Sequence, residues 1–392
     1  DPMDSSRITI NFVQGGVSTA LADGSLGGGE LAGGVRFLND DLAAAANQLG
    51  RIALATSSLV NQQHALGLDL KGNPGQNFFV PPAAAKGLAS PANGGTGQVS
   101  AVVSDPQALI ASDYELRVEA GGFSIVRLSD GNTTSVGALP AEVDGLSFQV
   151  DAAGAVPGDR FRIRPFEAAA RNLQVAIDAP EQLAVASPVM VTPGTGNSGS
   201  LSVEKLYAVD NSANLTDPVT ITFNADGSFS ATGLGPGNPP PDNAGPPPSY
   251  NFKPGQAIVL NGWSLTLRGN PTAGDSFSIG ASPSNAIAQR AGNASGMLAL
   301  RDLATFDGVP LSDGYVSLFS DLGTRVQGAQ FAADFSAGVA TAAEQARSNV
   351  SGVNLDEEAA RLLQFQQAYQ ASAKFLQIAQ STFDSLLQTV GR

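Results

Sequence analysis

The strongest constraint on the fold lies in residues 351–392, where large apolar residues recur at every seventh position. The series is Leu355, Leu362, Tyr369, Leu376, Phe383 and Val390, and intermediate offsets add Phe365 and Leu386. Because seven residues make close to two turns of an α-helix, these side chains form one stripe along it. Polar side chains, mostly glutamine, occupy the opposite face. The pattern therefore predicts a long amphipathic helix that requires a partner.

The ends of this helix also have sequence signals. Asn354 is predicted to cap its N-terminus, and Glu357 completes a capping box three residues later. Gly391 stands where the helix should stop. Periodicity alone leaves two interpretations open: the helix lies on its own domain, or it pairs with another helix in a coiled coil.

Composition restricts the classes of function. A length of 392 residues suggests two to four domains, and a net charge of −14 disfavours nucleic acid and anionic membranes as partners. The absence of cysteine removes disulfides and thiolate metal sites. We find no motif for a cofactor, no apolar run long enough to span a membrane, and no signal peptide at Asp1.

The first eighty residues combine one strand, a glycine-rich stretch and a long helix. Apolar and polar residues alternate over residues 7–13, which predicts a strand, and residues 24–34 are predicted to form a flexible turn. Gly27, Gly29 and Ala32 match a relaxed dinucleotide-binding pattern, but ten residues separate the strand from it and no second βαβ unit follows. We therefore do not predict nucleotide binding.

A helix is predicted over residues 39–66, with Asn39 as its N-cap. His64, the only histidine, falls near its C-terminal end. The sequence suggests no acid or second ligand beside it, so we expect a role at the surface or at the helix end and not catalysis.

Short strands and turns follow from residue 77, and their pattern occurs twice. The segment from Gly145 to Ile163 is echoed by the segment from Gly262 to Ile279, which predicts two duplicated β-modules. Asp159 and Asp275 recur at the same place in both copies, and we interpret them as turn residues, not as metal ligands or catalytic acids. Residues 236–248, rich in proline and glycine, are predicted to form an exposed loop.

Helical patterns return after residue 284. We expect a short helix over residues 298–306 and a long one over 312–349. Towards the end of the long helix the residues of its apolar face are mostly alanine, which permits close approach of another helix.

Several of these stretches resemble the flagellar hook-associated protein 1 family. The similar stretches are SGVNLDEE at 351–358, LQFQQAYQ at 363–370, FDSLL at 383–387 and GNASG at 292–296, together with the turn at 72–75. The resemblance implies an α+β multidomain fold, in which both chain ends build a domain of long bundled or coiled-coil helices and two antiparallel β-rich domains are inserted between them. The implied domains are 1–76 and 284–350 (helical), 77–187 and 188–283 (β-rich), and 351–392 (terminal helix).

The resemblance also implies a function outside the cell. Family members are structural proteins at the junction between the bacterial hook and filament, exported unfolded by the flagellar type III system. Implied partners are further copies in a ring, the hook protein, a second hook-associated protein, and a cytoplasmic export chaperone that binds the C-terminal helix. We expect that helix to bind through the eight stripe residues and expect a second long helix upstream of Asp1.

The sequence leaves two alternative functions from other classes of protein. A secreted adhesin would bind a ligand through its β-modules. A polysaccharide-active enzyme would need two carboxylates brought together with one pKa raised. The acids of this sequence form no such motif, and one histidine without cysteine leaves no catalytic triad.

Overall fold

The structure is a computed structural model and describes residues 1–21, 23–26, 28–351 and 355–391. It divides into two compact units, residues 1–323 and 324–392. The first unit contains the first helices and all the strands, and the second contains the end of one long helix and the whole of the last. Long helices towards both ends of the chain and antiparallel sheets between them confirm the predicted α+β multidomain class.

The chain begins with a small hairpin and a helix in three parts. Strands β1 (Asn11–Gln14) and β2 (Val17–Ala20) pair antiparallel. Helix α1 (Glu30–Arg36) continues through a π-helical turn (Phe37–Asp41) into α2 (Leu42–Ala65). The continuous helix thus starts at Glu30, nine residues earlier than predicted, and a 3-10 turn (Asp23–Leu26) precedes it, so the glycine-rich stretch is partly helical and not a flexible turn. Gly27 of the dinucleotide-like pattern lies outside the described residues.

Asn39 does not cap a helix, because it lies inside the π-helical turn. Its buried side chain accepts a hydrogen bond from the Ile8 backbone N–H at 2.9 Å and donates one to the Ile8 carbonyl at 2.8 Å. These bonds occupy the backbone groups that a strand would use, which explains why the predicted strand over residues 7–13 begins only at Asn11.

The first β-module contains nine strands. They are β3 (Ala85–Lys86), β4 (Leu88–Ala89), β5 (Gln98–Val103), β6 (Tyr114–Glu119), β7 (Gly122–Arg127), β8 (Thr133–Val136), β9 (Ala141–Val143), β10 (Leu146–Ala152) and β11 (Arg160–Ile163). They form two antiparallel sheets in the orders β3-β5-β10-β9 and β4-β11-β6-β7-β8. The core of this module includes Leu54 and Ala55 of α2, so helix and sheets share one hydrophobic cluster.

The second β-module contains seven strands. They are β12 (Val189–Pro193), β13 (Ser202–Ala208), β14 (Val219–Phe223), β15 (Phe229–Thr232), β16 (Ala257–Leu260), β17 (Trp263–Arg268) and β18 (Ser276–Ala281). Their sheets have the orders β13-β17-β16 and β12-β18-β14-β15. A separate core surrounds Trp263 and draws every one of its fully buried residues from this module.

The two modules are copies of one topology, as the repeated pattern predicted. Leaving β3 and β8 out of the first module gives the orders β5-β10-β9 and β4-β11-β6-β7, which match the second module strand for strand. Equivalent two-residue turns precede β10 and β17: Asp144-Gly145 and Asn261-Gly262 all have positive φ, as tight hairpins of this type require. The proline-rich loop stands where β8 would be, between β15 and β16.

The two repeated aspartates tie together equivalent loops. Asp159 accepts hydrogen bonds from the backbone N–H groups of Gly94 and Val156, both at 2.9 Å. Asp275 accepts them from Ser198 and Thr272, both at 2.8 Å. Both carboxylates are buried. Their positions confirm the interpretation as turn residues.

These hydrogen bonds make the stability of both modules sensitive to acid. Hydrogen bonds from backbone N–H groups, above all that of Thr272, hold the pKa of Asp275 below its usual value. The pKa of Asp159 is lowered in the same way, above all by the bond from Val156. A carboxylate with a lowered pKa stabilises the fold above its unfolded-state pKa and loses that contribution as the pH falls through the folded-state value.

We therefore expect Asp275→Asn to lower the melting temperature at pH 7, because the amide cannot accept all of these N–H bonds. The difference from the unsubstituted protein should shrink as the pH falls from 5 towards 3, measured by calorimetry. Asp217→Asn, at an exposed position of the same module, is the matched control and should have little effect at either pH. A deficit that stays constant over this range would contradict the ionic role of Asp275.

Three helices complete the chain. They are α3 (Gly292–Ala299), α4 (Leu311–Ser351) and α5 (Leu355–Val390). The helix predicted over residues 298–306 is wrong in position: α3 starts at Gly292 and ends in a short 3-10 turn, Leu300–Asp302. The long predicted helices agree with α4 and α5 to within a few residues. Asn354, the predicted cap of α5, lies outside the described residues.

Candidate assembly surface

Helix α5 carries the most extensive apolar surface of the second unit. It runs without interruption over 36 residues, and Asp356, Glu357 and Glu358 place negative charge in its first turn, where the helix dipole favours it. Glycine and proline are absent from Leu355 to Val390, so nothing in the sequence breaks the helix. A helix of this length extends over about 54 Å.

All eight predicted stripe residues lie on this helix and are exposed, with between 59% and 82% of their surface accessible. In a straight helix a seven-residue series drifts by about 20° per repeat, so the stripe winds slowly around the axis. A partner helix can follow such a stripe if the two wind around each other in a left-handed supercoil. The geometry of the stripe is therefore that of a helix-pairing surface.

Other apolar side chains of this unit are exposed and do not belong to the predicted stripe. Phe375 and Ile378 lie outside the seven-residue series on α5 and are 73% and 62% exposed. Helix α4 adds Phe331 and Phe335. Only the residues that fit the heptad offsets were found, and a search for every large apolar residue on the helix would have found the others.

The middle of the stripe is free of charge. No ionisable acid or base lies between Arg361 and Lys374 except the Tyr369 phenol. The nearest ion pair on the helix joins Arg361 to Glu358 at 3.5 Å, one turn apart and both exposed. An exposed pair of this kind adds at most about 1 kcal/mol. A partner of this surface would therefore be held mainly by apolar contact and not by charge.

The buried charges of the first unit are used to join segments of the chain. Arg164 of the first module contacts Asp4 at 3.2 Å and Asp113 at 3.6 Å. Burial raises the pKa of Asp113, although Arg164 acts in the opposite direction. Burial also acts to raise the pKa of Asp4, but hydrogen bonds from Ser6 and the nearby arginines hold it below its usual value. Each acid already has a basic partner, which favours a structural role for the cluster.

His64 lies at the C-terminal end of α2, as predicted, but it is fully buried and not at the surface. Its ring contacts the backbone of Gln76 and Ala184 and the ring of Phe78. No carboxylate is among these contacts.

The described residues include no group of three or more histidines, cysteines and acids placed to hold a metal ion. Among the helices that the structure describes, none combines the length and apolar character needed to cross a membrane.

Three family models match parts of the chain. The model described as flagellar hook-associated protein FlgK helical domain matches residues 1–79. The model described as flagellar hook-associated protein 1, D2-like domain, matches residues 88–165. A third, flagellar basal body rod FlgEFG protein C-terminal, matches residues 344–389, which contain most of α5.

Similar proteins include flagellar hook-associated protein 1 of Escherichia coli K12, with 26% identity, and that of Salmonella typhimurium LT2, with 25%. Each alignment covers 98% of this chain and 54% of the relative, so the chain spans about half the length of these relatives. Among solved structures, the flagellar hook junction protein FlgK from Burkholderia pseudomallei matches with a TM-score of 0.65 and 26% identity, over 87% of this chain and 66% of that one.

Proposed function

The chain belongs to the flagellar hook-associated protein 1 family, and on that premise we propose that it is a structural component of the bacterial flagellum at the junction between hook and filament. The observation that supports this function best is the likeness of 87% of the chain to a solved hook junction protein. The adhesin and enzyme alternatives gain no support from these relatives.

We assign the joining role to the stripe of α5. Covering one large apolar side chain stabilises a contact by about 1.5–3 kcal/mol. Eight such residues on one helix could contribute far more stabilisation than they do now, because α5 leaves all eight exposed. A neighbouring helix, from another copy or from another flagellar protein, would convert this exposed surface into a stable joint.

The partners follow from the same surface. We propose further copies of this chain in a ring, the hook protein and a second hook-associated protein as neighbours after assembly. Before assembly, a cytoplasmic export chaperone would cover the stripe, because an exposed apolar face of this size favours aggregation. The protein would then act outside the cell, after export by the flagellar type III system, and without catalysing a reaction.

The proposal can be tested by electron microscopy of isolated flagella. Antibodies against the second β-module, labelled with gold, should mark a single narrow band where the hook meets the filament. Preincubation of the antibody with the purified chain should remove that band. Label along the whole filament, or at the cell body only, would contradict the proposed position.

A further inference from the structure

The second β-module lacks a strand that the first module has at the edge of its sheet. In the first module β7 pairs with β8, from Phe123 opposite Val136 to Val126 opposite Thr133. In the second module the equivalent strand, β15, stands at the end of its sheet. An edge strand presents a row of backbone N–H and C=O groups that can pair with a strand of another molecule. The second module therefore needs a way to protect the free edge of β15.

The hydrogen bonds of β14 show which backbone groups lie on this edge. The Phe223 N–H donates to the Asp275 carbonyl at 2.8 Å, and the Phe223 carbonyl accepts from the Gly274 N–H at 2.9 Å, so both groups point away from β15. Phe223 lies opposite Phe229, and opposite residues of an antiparallel pair direct their backbone groups in the same manner. Phe229 and, two residues later, Ala231 therefore present their N–H and C=O groups at the free edge.

The chain itself occupies one end of the free edge. Tyr250 and Phe229 exchange two backbone hydrogen bonds, at 2.9 and 2.8 Å, and form an isolated bridge. Their rings stack, with centroids 5.3 Å apart and 17° between the planes. The chain leaves β15 at Gly233, which has a positive φ, and returns to the strand at Tyr250. The segment between them thus begins and ends at β15.

Most of that segment is the proline-rich loop, residues 236–248, which is unsuited to extending the sheet. Seven of its thirteen residues are proline. Proline has no N–H to donate, and its fixed φ confines it to the edges of sheets and to bulges. A strand of another molecule that approached the loop would find few donors with which to pair. The loop therefore covers an edge without creating a new one.

Side-chain hydrogen bonds hold the proline-rich loop against the module. Asn238 accepts a bond from the Asn261 N–H at 2.6 Å and donates one to Oδ1 of Asn261 at 2.7 Å. The Tyr250 hydroxyl donates to the Pro239 carbonyl at 3.2 Å. These bonds connect the loop to the turn between β16 and β17 and to the residue that bridges β15. The loop is thus fixed beside the strand and not only tethered to it.

We propose that the proline-rich loop is an edge guard, which prevents β15 from pairing with the same strand of a second copy of this chain. A second copy fits this edge because it offers an identical one, and two-fold symmetry brings identical surfaces together. Antiparallel pairing about Ala231 would join two four-stranded sheets into one by strand addition. The edge guard is a property of the module and does not depend on the proposed junction function.

The test replaces residues 236–248 of the full chain by a Gly-Ser linker of the same length. The linker keeps the connection between β15 and β16 but lacks the prolines and the bonds of Asn238. In sedimentation velocity, the weight-average mass of this variant should rise with concentration towards twice that of the unsubstituted chain. Association through α5 is common to both chains, so the difference between them reports the edge. Equal masses at every concentration would overturn the proposal.

Ala231→Pro in the linker variant identifies the contact. Proline removes the N–H that Ala231 presents at the free edge, so the mass should return to that of the unsubstituted chain. Ala257→Pro in the linker variant is the matched control, because Ala257 is exposed and begins β16, the edge strand of the other sheet of this module. This substitution should leave the association unchanged. A dimer that survives Ala231→Pro, or that Ala257→Pro also abolishes, would contradict pairing through β15.

Trp263 fluorescence shows whether each variant keeps the core of the module, since Trp263 is the only tryptophan and is fully buried. If the linker exposes Trp263, the double substitution Asn238→Ala and Asp242→Ala provides the test instead. It removes the bonds of Asn238 to Asn261 and of Asp242 to the Asn251 N–H, but keeps the length of the loop. Its mass should also rise with concentration, and a mass equal to that of the unsubstituted chain would then overturn the proposal.

Discussion

Replacing Leu362, Tyr369 and Leu376 together by alanine should weaken binding of the chain to the export chaperone that we propose as a partner by about 10⁴-fold or more. Each of these side chains projects from α5 in the same seven-residue series and is more than 60% exposed. Truncating such a residue in a packed contact costs about 2–4 kcal/mol, and every 1.4 kcal/mol is a factor of ten in affinity. Isothermal calorimetry with the purified chaperone measures the change directly.

The matched control replaces Gln364, Gln367 and Gln370 by alanine, three residues on other faces of the same stretch of helix. Both triple variants should keep the helix content of the unsubstituted chain by circular dichroism, because alanine has the highest helix propensity. The control should bind as tightly as the unsubstituted protein. Equal affinities for all three proteins would remove the stripe as the binding surface and leave Phe375 and Ile378 as the candidates to test next.

Gly50→Ala should lower the free energy of unfolding by about 3 kcal/mol, although alanine is the better helix former by about 1 kcal/mol. Gly50 lies in α2 against the first module, and a Cβ there would stand 2.1 Å from the Phe166 carbonyl oxygen. Helix and loop would have to separate, which would disturb the packing of Leu54 and Ala55 in the shared core. Chemical denaturation followed by circular dichroism measures the loss.

Gly33→Ala makes the same chemical change but should raise the free energy of unfolding instead of lowering it. Gly33 lies in α1, and nothing comes within 4 Å of a Cβ built there. The substitution should therefore stabilise the protein slightly, by up to about 1 kcal/mol, through helix propensity. If Gly50→Ala also proved neutral or stabilising, the close approach of α2 to Phe166 would be wrong.

Regular repetition was the part of the structure that the sequence predicted best. The heptad series predicted a helix up to Val390, and the structure has α5 over Leu355–Val390. The echo of Gly145 in Gly262 predicted two modules, and their strand orders agree. Such patterns are readable because each repeat carries its own local signal, whether the period of a helix or the chemistry of a turn.

Single polar residues were predicted poorly. Asn39 has the sequence context of a helix cap, yet it pairs with Ile8, which lies 31 positions earlier. His64 was expected at the surface or at the helix end; it lies at the end of α2 but is buried, and it bonds to Ala184, which lies 120 positions later. A local window contains neither partner, so local rules assigned each residue the role that is commonest for its type.

By itself, the sequence determined the long amphipathic helix with its eight stripe residues, the duplication of the β-module and the use of Asp159 and Asp275 in turns. The tertiary structure alone decided that the first module shares its core with α2, while the second has a core of its own. The physical reason is the range of the interactions. Periodicity and turn chemistry act over a few neighbouring residues, whereas burial and hydrogen bonding join groups that only the folded chain brings together.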